Sequence, residues 1–289
     1  MTARMPNIRT VADMAASIAN NLHRIDRAAY DCIVGIPRSG MIPASIIATS
    51  LQMPLASIDG YRAGIVHGRS GRAEKAGRRI LLVDDSCNKG RAMARAVGML
   101  PRGTQYDRLA IYGPYQLADP KTVVDMSFEE CRGPRIFAWN MWKHIRLGRW
   151  AFDMDGVLCR DPEKHENDDG PAYENFLANA EPLFLPQREI GHIVTSRLER
   201  YRPQTEAWLD RHHVKYETLT MMQLPSKRAR MTAMKVEGGR GGWKARQIAS
   251  LAERDFPVEM FIESCPKQAA IIARTAGLPV FCTRTQGVF

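Results

Sequence analysis

The clearest chemical signal in the chain is Asp153-Met154-Asp155-Gly156, two carboxylates one residue apart, directly after the apolar Trp150-Ala151-Phe152. On an extended segment both side chains point to the same side, and carboxylates that close repel unless a cation lies between them. Mg2+ suits such a pair, because it binds one or two carboxylates together with water and phosphate oxygens. A second acidic pair, Asp84-Asp85, ends the apolar run Ile80-Leu81-Leu82-Val83 and leads into Asn88-Lys89-Gly90-Arg91. Acids beside a Gly-containing loop that opens a helix can receive sugar hydroxyls, while the loop amides receive a phosphate. Upstream, Gly35-Ile36-Pro37-Arg38-Ser39-Gly40-Met41 offers another turn, with Arg38 and exposed amides able to hold an anion.

These residues need elements to position them, and the apolar pattern supplies candidates. One amphipathic helix is expected over 1–30, with Val11, Met14, Ile18, Leu22 and Ile25 at helical spacing. Strands are expected at 31–36, 80–83, 108–112, 122–126 and 136–139, with helices over 42–51 and 92–99. After Leu147 the pattern restarts: strands at 150–152, 192–194, 258–262 and 278–283, and helices over 205–211 and 244–253. Apolar runs rather than strict alternation predict parallel sheets covered on both faces. The fold class is therefore α/β with two domains, 1–146 and 147–289, each a mainly parallel sheet with helices on both faces. In such sheets function gathers beyond the carboxyl ends of the strands, where all three acidic or turn motifs stand.

Composition narrows the function classes. With 289 residues, 45% hydrophobic and 25% charged, the chain has the balance of a soluble globular protein. No apolar run approaches the ~20 residues needed to span a bilayer, and Asn, Arg and Asp interrupt the N-terminal segment before a secretory core could form. A cytoplasmic location is expected. The six cysteines are scattered without a CxxC pair, which argues for reduced thiols and against zinc. The formal charge of +10 comes without a long basic run or an aromatic-interleaved platform, so nucleic acid is not the expected partner. Basic clefts that steer a polyanionic substrate fit it better.

The stretch Ile80 to Ala92 resembles the PRPP-binding signature of type I phosphoribosyltransferases, and Gly35 to Met41 resembles the pyrophosphate loop of the same family. That resemblance implies that Asp84 and Asp85 receive the ribose hydroxyls beside a metal-bound pyrophosphate. Asn88, Lys89, Gly90 and Arg91 would hold the 5-phosphate, and Arg38, Ser39 and Gly40 the pyrophosphate. Arg135-Ile136-Phe137-Ala138-Trp139 is similar to the aromatic stretch near the end of some nucleobase-transferring members. Two departures are informative. Lys89 and Ala92 replace hydroxyl residues, which points to phosphate binding by charge. Asn88 stands where purine-transferring members carry an acidic base, and an amide cannot take a proton from a purine nitrogen.

In the second half, Phe152 to Leu158, Ile193 to Arg197, Lys244 and Phe261 to Ser264 resemble the four motifs of the haloacid-dehalogenase (HAD) superfamily in order. The resemblance implies a Rossmannoid phosphatase in which Asp153 attacks phosphorus and Asp155 serves as acid and then base. Thr195 would hydrogen-bond the phosphoryl group, Lys244 would offset its charge, and Asp153, Asp155 and Glu263 would hold Mg2+. Lys235 rivals Lys244 across a Gly-rich stretch, and Ser264 replaces a common second aspartate. Little chain separates the first two motifs, which implies an open site, though 221–242 remains available to cover it.

Together the halves resemble the dual-domain ribofuranosyltransferases of bacterial polysaccharide synthesis, such as those of O-antigen. This implies transfer of a 5-phosphoribosyl group from PRPP to a glycan or other small acceptor, then removal of the 5-phosphate. It also implies association with membrane-bound glycan assembly machinery. Two alternatives stay open: a nucleobase phosphoribosyltransferase fused to a nucleotide 5-phosphatase, and a regulatory protein that binds PRPP or nucleic acid without transfer.

Overall fold

The computed structural model describes residues 6–68, 77–114, 123–235, 238–253 and 258–289. They form two compact units, one of Arg9–Arg135 and one of Ile136–Phe289 with Ile8. The division falls ahead of the 146/147 joint expected from the sequence. Ile136, Ala138 and Met141 are buried in the core of the later unit, where Ile8 joins them through the pairing of β1 (Asn7–Arg9) with β7 (Arg135–Phe137).

In the first unit the chain runs α1 (Val11–Asn21), β2 (Cys32–Gly35), α2 (Met41–Leu51), β3 (Leu55–Ser57), α3 (Ile58–Arg62), β4 (Arg79–Ser86), α4 (Arg91–Met99), β5 (Gln105–Gly113) and β6 (Met126–Glu130). The sheet has the order β3-β2-β4-β5-β6 and every pairing is parallel. All four residues of β2 and the six central residues of β4 are buried, as an apolar run flanked by helices on both faces requires. The single helix expected over 1–30 is shorter. Thr10 caps α1 in a reciprocal box with Asp13, and Val11 is exposed rather than core. Short 3-10 turns at Leu22–Arg24 and Arg27–Ala29 follow. The strand expected at 122–126 is found at Met126–Glu130, with residue 122 outside the described residues. The short β3 and α3 were not visible in the pattern.

The second unit contains β8 (Trp150–Phe152), α5 (Pro171–Asn179), β9 (Ile190–Leu198), α6 (Arg202–Arg211), β10 (Tyr216–Met222), α7 (Lys227–Ala233), α8 (Gly239–Glu253), β11 (Met260–Glu263), α9 (Pro266–Ala276), β12 (Val280–Cys282) and β13 (Gly287–Val288). The sheet order is β10-β9-β8-β11-β12-β13, parallel except for the β12–β13 pair. Strand alternation splits its apolar residues between two cores. Phe152, Ile193, Ile262 and Phe281 pack on one face with Phe176 and Trp208 from α5 and α6. Ala151, Val194, Phe261 and Val280 face the other side with Ile248 and Ile272 from α8 and α9.

The start of α8 corrects the expected 244–253 helix. It begins at Gly239, because Gly241 and Gly242 are buried helix residues rather than loop. A Cβ on Gly241 would lie 3.1 Å from the Gln268 carbonyl oxygen and 3.1 Å from Ile271 Cβ, so glycine there lets α8 approach α9. In contrast, a Cβ on Gly98 in α4 meets nothing within 4 Å. Alanine exceeds glycine in helix propensity by about 1 kcal/mol. Gly98→Ala is therefore expected to raise stability by up to that amount, while Gly241→Ala gains nothing or loses stability. Urea unfolding midpoints of the two variants check this contrast.

Candidate active sites at the strand ends

In each sheet the chain winds outward from one strand, then returns to the middle and winds the other way. The reversals lie between β2 and β4 in the first unit and between β8 and β11 in the second. Ligands of open α/β sheets bind in the crevice at such a reversal, outside the carboxyl ends of the strands.

The first crevice takes its acids from β4. Gly35 pairs with Val83, and the Ile36 amide donates to the Val83 carbonyl, so Asp84 lies level with the turn at 37–40. Asp84 and Asp85 are both buried, inside the strand rather than in the loop after it. The Ser39 hydroxyl donates to Asp85 Oδ1 at 3.0 Å, which ties the two motifs together. Gly40 has no room for a side chain: a Cβ would lie 2.6 Å from the Ile36 oxygen and 2.9 Å from Asp84 Oδ1. Gly90, at φ +71, precedes α4 and packs on Val123. A pocket of about 400 Å³ opens here, lined by Asp84, Asn88, Lys89, Gly90, Arg91 and neighbours. Arg38 is exposed and lies outside that lining. Burial, with the adjacent Asp85, pushes Asp84 up to about 8.

The second crevice is built by register. Phe152 pairs with both Ile193 and Ile262, so the residues that follow, Asp153, Val194 and Glu263, stand level. Alternation from Phe152 and Ile262 turns Asp153 and Glu263 towards the face covered by α8. From that helix Lys244 Nζ donates to Asp153 Oδ2 and Glu263 Oε2, 2.6 Å each. The lysine is 1% exposed. Burial opposes its charge, but Asp153 and Glu263 overcome that and raise its pKa above the ordinary lysine value. Asp153 is pushed above the usual carboxylate range by burial, against the pull of Lys244. Glu263 Oε1 accepts from the amides of Ser264 and Cys265. Lys235 is exposed and takes no part.

Asp155 is held differently. Buried Arg197 donates through Nη2 at 2.6 Å and Nε at 3.1 Å, both to Asp155 Oδ1. Gly156 turns the chain with φ +76, and a Cβ there would lie 2.3 Å from Ser264 Oγ. A pocket of about 280 Å³ brings Asp153, Asp155, Thr195 and Lys244 together, and Glu263 supports it from behind Lys244. The stretch expected to leave the site open contributes walls at Asp161 and Tyr173, and the stretch 221–242, which was available to cover it, contributes Arg230 and Arg240. Arg197 was not assigned a role from sequence, although its place two residues after Thr195 on a strand puts both on one side. Arg230 gave no sequence signal at all.

Among the described residues no group of three or more acid, His or Cys side chains is arranged to hold a metal ion. The trio expected to hold Mg2+ is divided, with Lys244 spanning Asp153 and Glu263 and Arg197 taking Asp155. The hard oxygens of Asp153 and Glu263 still fit the preference of Mg2+ for one or two carboxylates completed by phosphate and water.

Residues 4–103 match the phosphoribosyl transferase domain family, and the chain carries a phosphoribosyltransferase domain there. No curated protein matches the chain. Among solved structures, a purine phosphoribosyltransferase from Pyrococcus horikoshii Ot3 is 15% identical over 48% of this chain and 95% of its own, with a TM-score of 0.35. A xanthine-guanine-hypoxanthine phosphoribosyltransferase from Helicobacter pylori is 12% identical over 46% and 92%, with a TM-score of 0.36. A chain of a Pnkp1/Rnl/Hen1 complex is 13% identical over 98% and 97%, with a TM-score of 0.32.

Two stability predictions follow from these charges. Lys244→Met leaves Asp153 and Glu263 buried without their cation and should cost about 3–5 kcal/mol near pH 8. Without Lys244, burial holds the Asp153 folded-state pKa still further above its unfolded value, so the deficit should shrink as pH falls; denaturation at pH 5 and 8 tests it. Asp84 likewise has a raised folded-state pKa. Its contribution favours the folded state at low pH and is lost as pH rises from its unfolded value of 3.8 through about 8. Asp84→Asn should flatten that slope and stabilise the protein above pH 8 by roughly 1–3 kcal/mol, the usual cost of an uncompensated buried polar group.

Proposed function

We propose that the chain is a bifunctional enzyme of ribofuranosyl transfer, moving a 5-phosphoribosyl group from PRPP to a glycan acceptor and then removing the 5-phosphate. The reading rests on one observation: a chain with a phosphoribosyltransferase domain carries a second acid cluster, Asp153 with Lys244 and Glu263, at the reversal point of another parallel sheet.

In the first unit Asp84 and Asp85 receive the ribose hydroxyls, and the loop Asn88–Arg91 with the α4 terminus receives the 5-phosphate. Arg38, Ser39 and Gly40 hold the pyrophosphate, which departs with the electrons of the C1–O bond as an acceptor hydroxyl attacks C1 and gives up its proton to a pyrophosphate oxygen. Asn88 supplies no base for a purine nitrogen, which favours a hydroxyl acceptor over a nucleobase.

In the second unit an Asp153 oxygen attacks phosphorus, and the ester oxygen leaves with a proton from Asp155. Asp155 then takes a proton from water, which hydrolyses the aspartyl-phosphate and frees inorganic phosphate. Arg197 fixes Asp155 through Oδ1 and leaves Oδ2 for that proton. Thr195 donates to the phosphoryl oxygens, and Lys244 offsets their charge. Mg2+ held by Asp153 and Glu263 would neutralise phosphoryl charge. Placing both sites on one chain raises the concentration of the first product at the second.

Asp153→Asn should abolish Mg2+-dependent phosphate release from a ribosyl 5-phosphate glycoside, by at least about 10³-fold in kcat. Asp84→Ala with Asp85→Ala should stop PRPP consumption and leave that hydrolysis intact. Phosphate and pyrophosphate assays with both variants check the assignment; full phosphatase activity in Asp153→Asn would overturn the nucleophile. Mass analysis of wild-type products with PRPP and panels of sugars and bases decides the acceptor. Pentose phosphate added only to bases would move the reading to the nucleotide alternative.

A further inference from the structure

The pocket above Asp153 holds more than the phosphoryl group asks for. Asp153 and Glu263 share Lys244, Asp155 is neutralised by Arg197, and Asp161 lies 3.5 Å from Arg284. Two further guanidiniums line the same space, Arg230 from α7 and Arg240 from the first turn of α8, and neither forms an ion pair among the described residues.

Arg230 is the telling one. It is 6% exposed, and its Nη1 donates to the Ser196 carbonyl at 2.8 Å, yet its Nε has no hydrogen-bond partner. Ser196 Oγ and Gln268 Oε1 are also buried without a partner, and both residues line this pocket. Buried polar groups in folded proteins are almost always satisfied, and exceptions gathered in residues that line one cavity point to a ligand bound there. A guanidinium buried without a carboxylate, beside another guanidinium, calls for an anion. Burial and the nearby Arg240 lower the Arg230 pKa, the direction expected of a cation lacking its counter-charge.

We propose that Ser196, Arg230 and Arg240 form a second anion subsite, so that the phosphatase site takes phosphomonoesters carrying another phosphate group close by. This rests on the phosphatase reading of the unit. The second phosphate belongs either to a small sugar bisphosphate or to the phosphodiester of a longer chain; the chemistry recognised is the same.

The full-length protein with Mg2+ is assayed for phosphate release from ribose 5-phosphate, ribose 1,5-bisphosphate and a 5′-phosphorylated dinucleotide. At least one doubly anionic substrate is expected to show a KM about ten-fold below that of ribose 5-phosphate, the worth of one charge-assisted contact. Arg230→Gln and Arg240→Gln should each erase that preference, with kcat and KM for ribose 5-phosphate changed less than about two-fold and Arg230→Lys partly restoring it. Which substrate shows the preference identifies the source of the second phosphate. Equal KM values for all three in the wild type, or equal loss on all three in the variants, would overturn the proposal. Calorimetric titration of the same ligands into wild type and variants reads the subsite without turnover. If no phosphomonoester is hydrolysed while bisphosphate binding still depends on both arginines, the phosphatase reading fails and the subsite stands. Arg240 is exposed, so Arg240→Gln decides the matter if Arg230→Gln does not fold.

Discussion

A carboxylate buried at the end of a parallel strand must find a cation, and the second unit is organised around that demand. Asp153 and Glu263 are level because β8 and β11 are in register, and both turn to the face that α8 covers. Desolvating two acids so close together would be prohibitive alone, and Lys244 offsets it with an ammonium bonded to each. For Lys244 to reach them, α8 has to lie low on the sheet. The glycines at its start favour that approach, since a Cβ at Gly241 would press on α9 at 3.1 Å from the Gln268 oxygen and Ile271 Cβ. Sheet register, helix packing and glycine placement are therefore set by one ion triad. A buried triad of this kind contributes little net stability compared with an apolar core; its value lies in the single arrangement it enforces.

The first unit solves the same problem in the opposite way. Asp84 occupies the equivalent place beside a reversal point, but its neighbour is another acid and its pKa rises to about 8. The strain is met by local bonds: the Asp85 amide donates to Asp84 Oδ1, and Ser39 donates to Asp85. The basic residues stand further along the chain, at Lys89 and Arg91, exposed at the mouth of the pocket. One site thus carries its counter-charge internally, while the other keeps its cations at the rim.

How much of this was legible in the sequence follows from the range of the interactions. Buried parallel strands announce themselves as short apolar runs, and acids or glycines directly after them mark strand ends, so Asp84, Asp85, Asp153 and Glu263 could be placed by local pattern alone. Boundaries were less legible. β4 and β9 extend through Ser86 and Leu198, because parallel partners continue to bond them beyond their apolar residues. The head of α8 was unreadable for a different reason: glycine weakens every local helix signal, and only the tertiary approach of α9 accounts for it. Once α8 starts at Gly239, Lys244 rather than Lys235 reaches the strand ends, a choice the sequence left open.

The residues that escaped the sequence share a property: their roles depend on distant partners. Arg197 bonds Asp155, 42 positions away, and Arg230 meets Ser196, 34 positions away. No spacing rule links them, since each pair is joined only by the fold bringing a wall to a strand end. This explains why motif reasoning recovers the groups at the strand ends more readily than those that wall the same pocket from elsewhere. The reacting groups are tied to the ends of the central strands, which the fold can hardly move. The pocket's walls come from the connections between strands, where length and sequence are free to vary, and α7 with its buried arginine is such a connection. The acid cluster of this unit is therefore written in its sheet, and the walls of its pocket in the segments laid over that sheet.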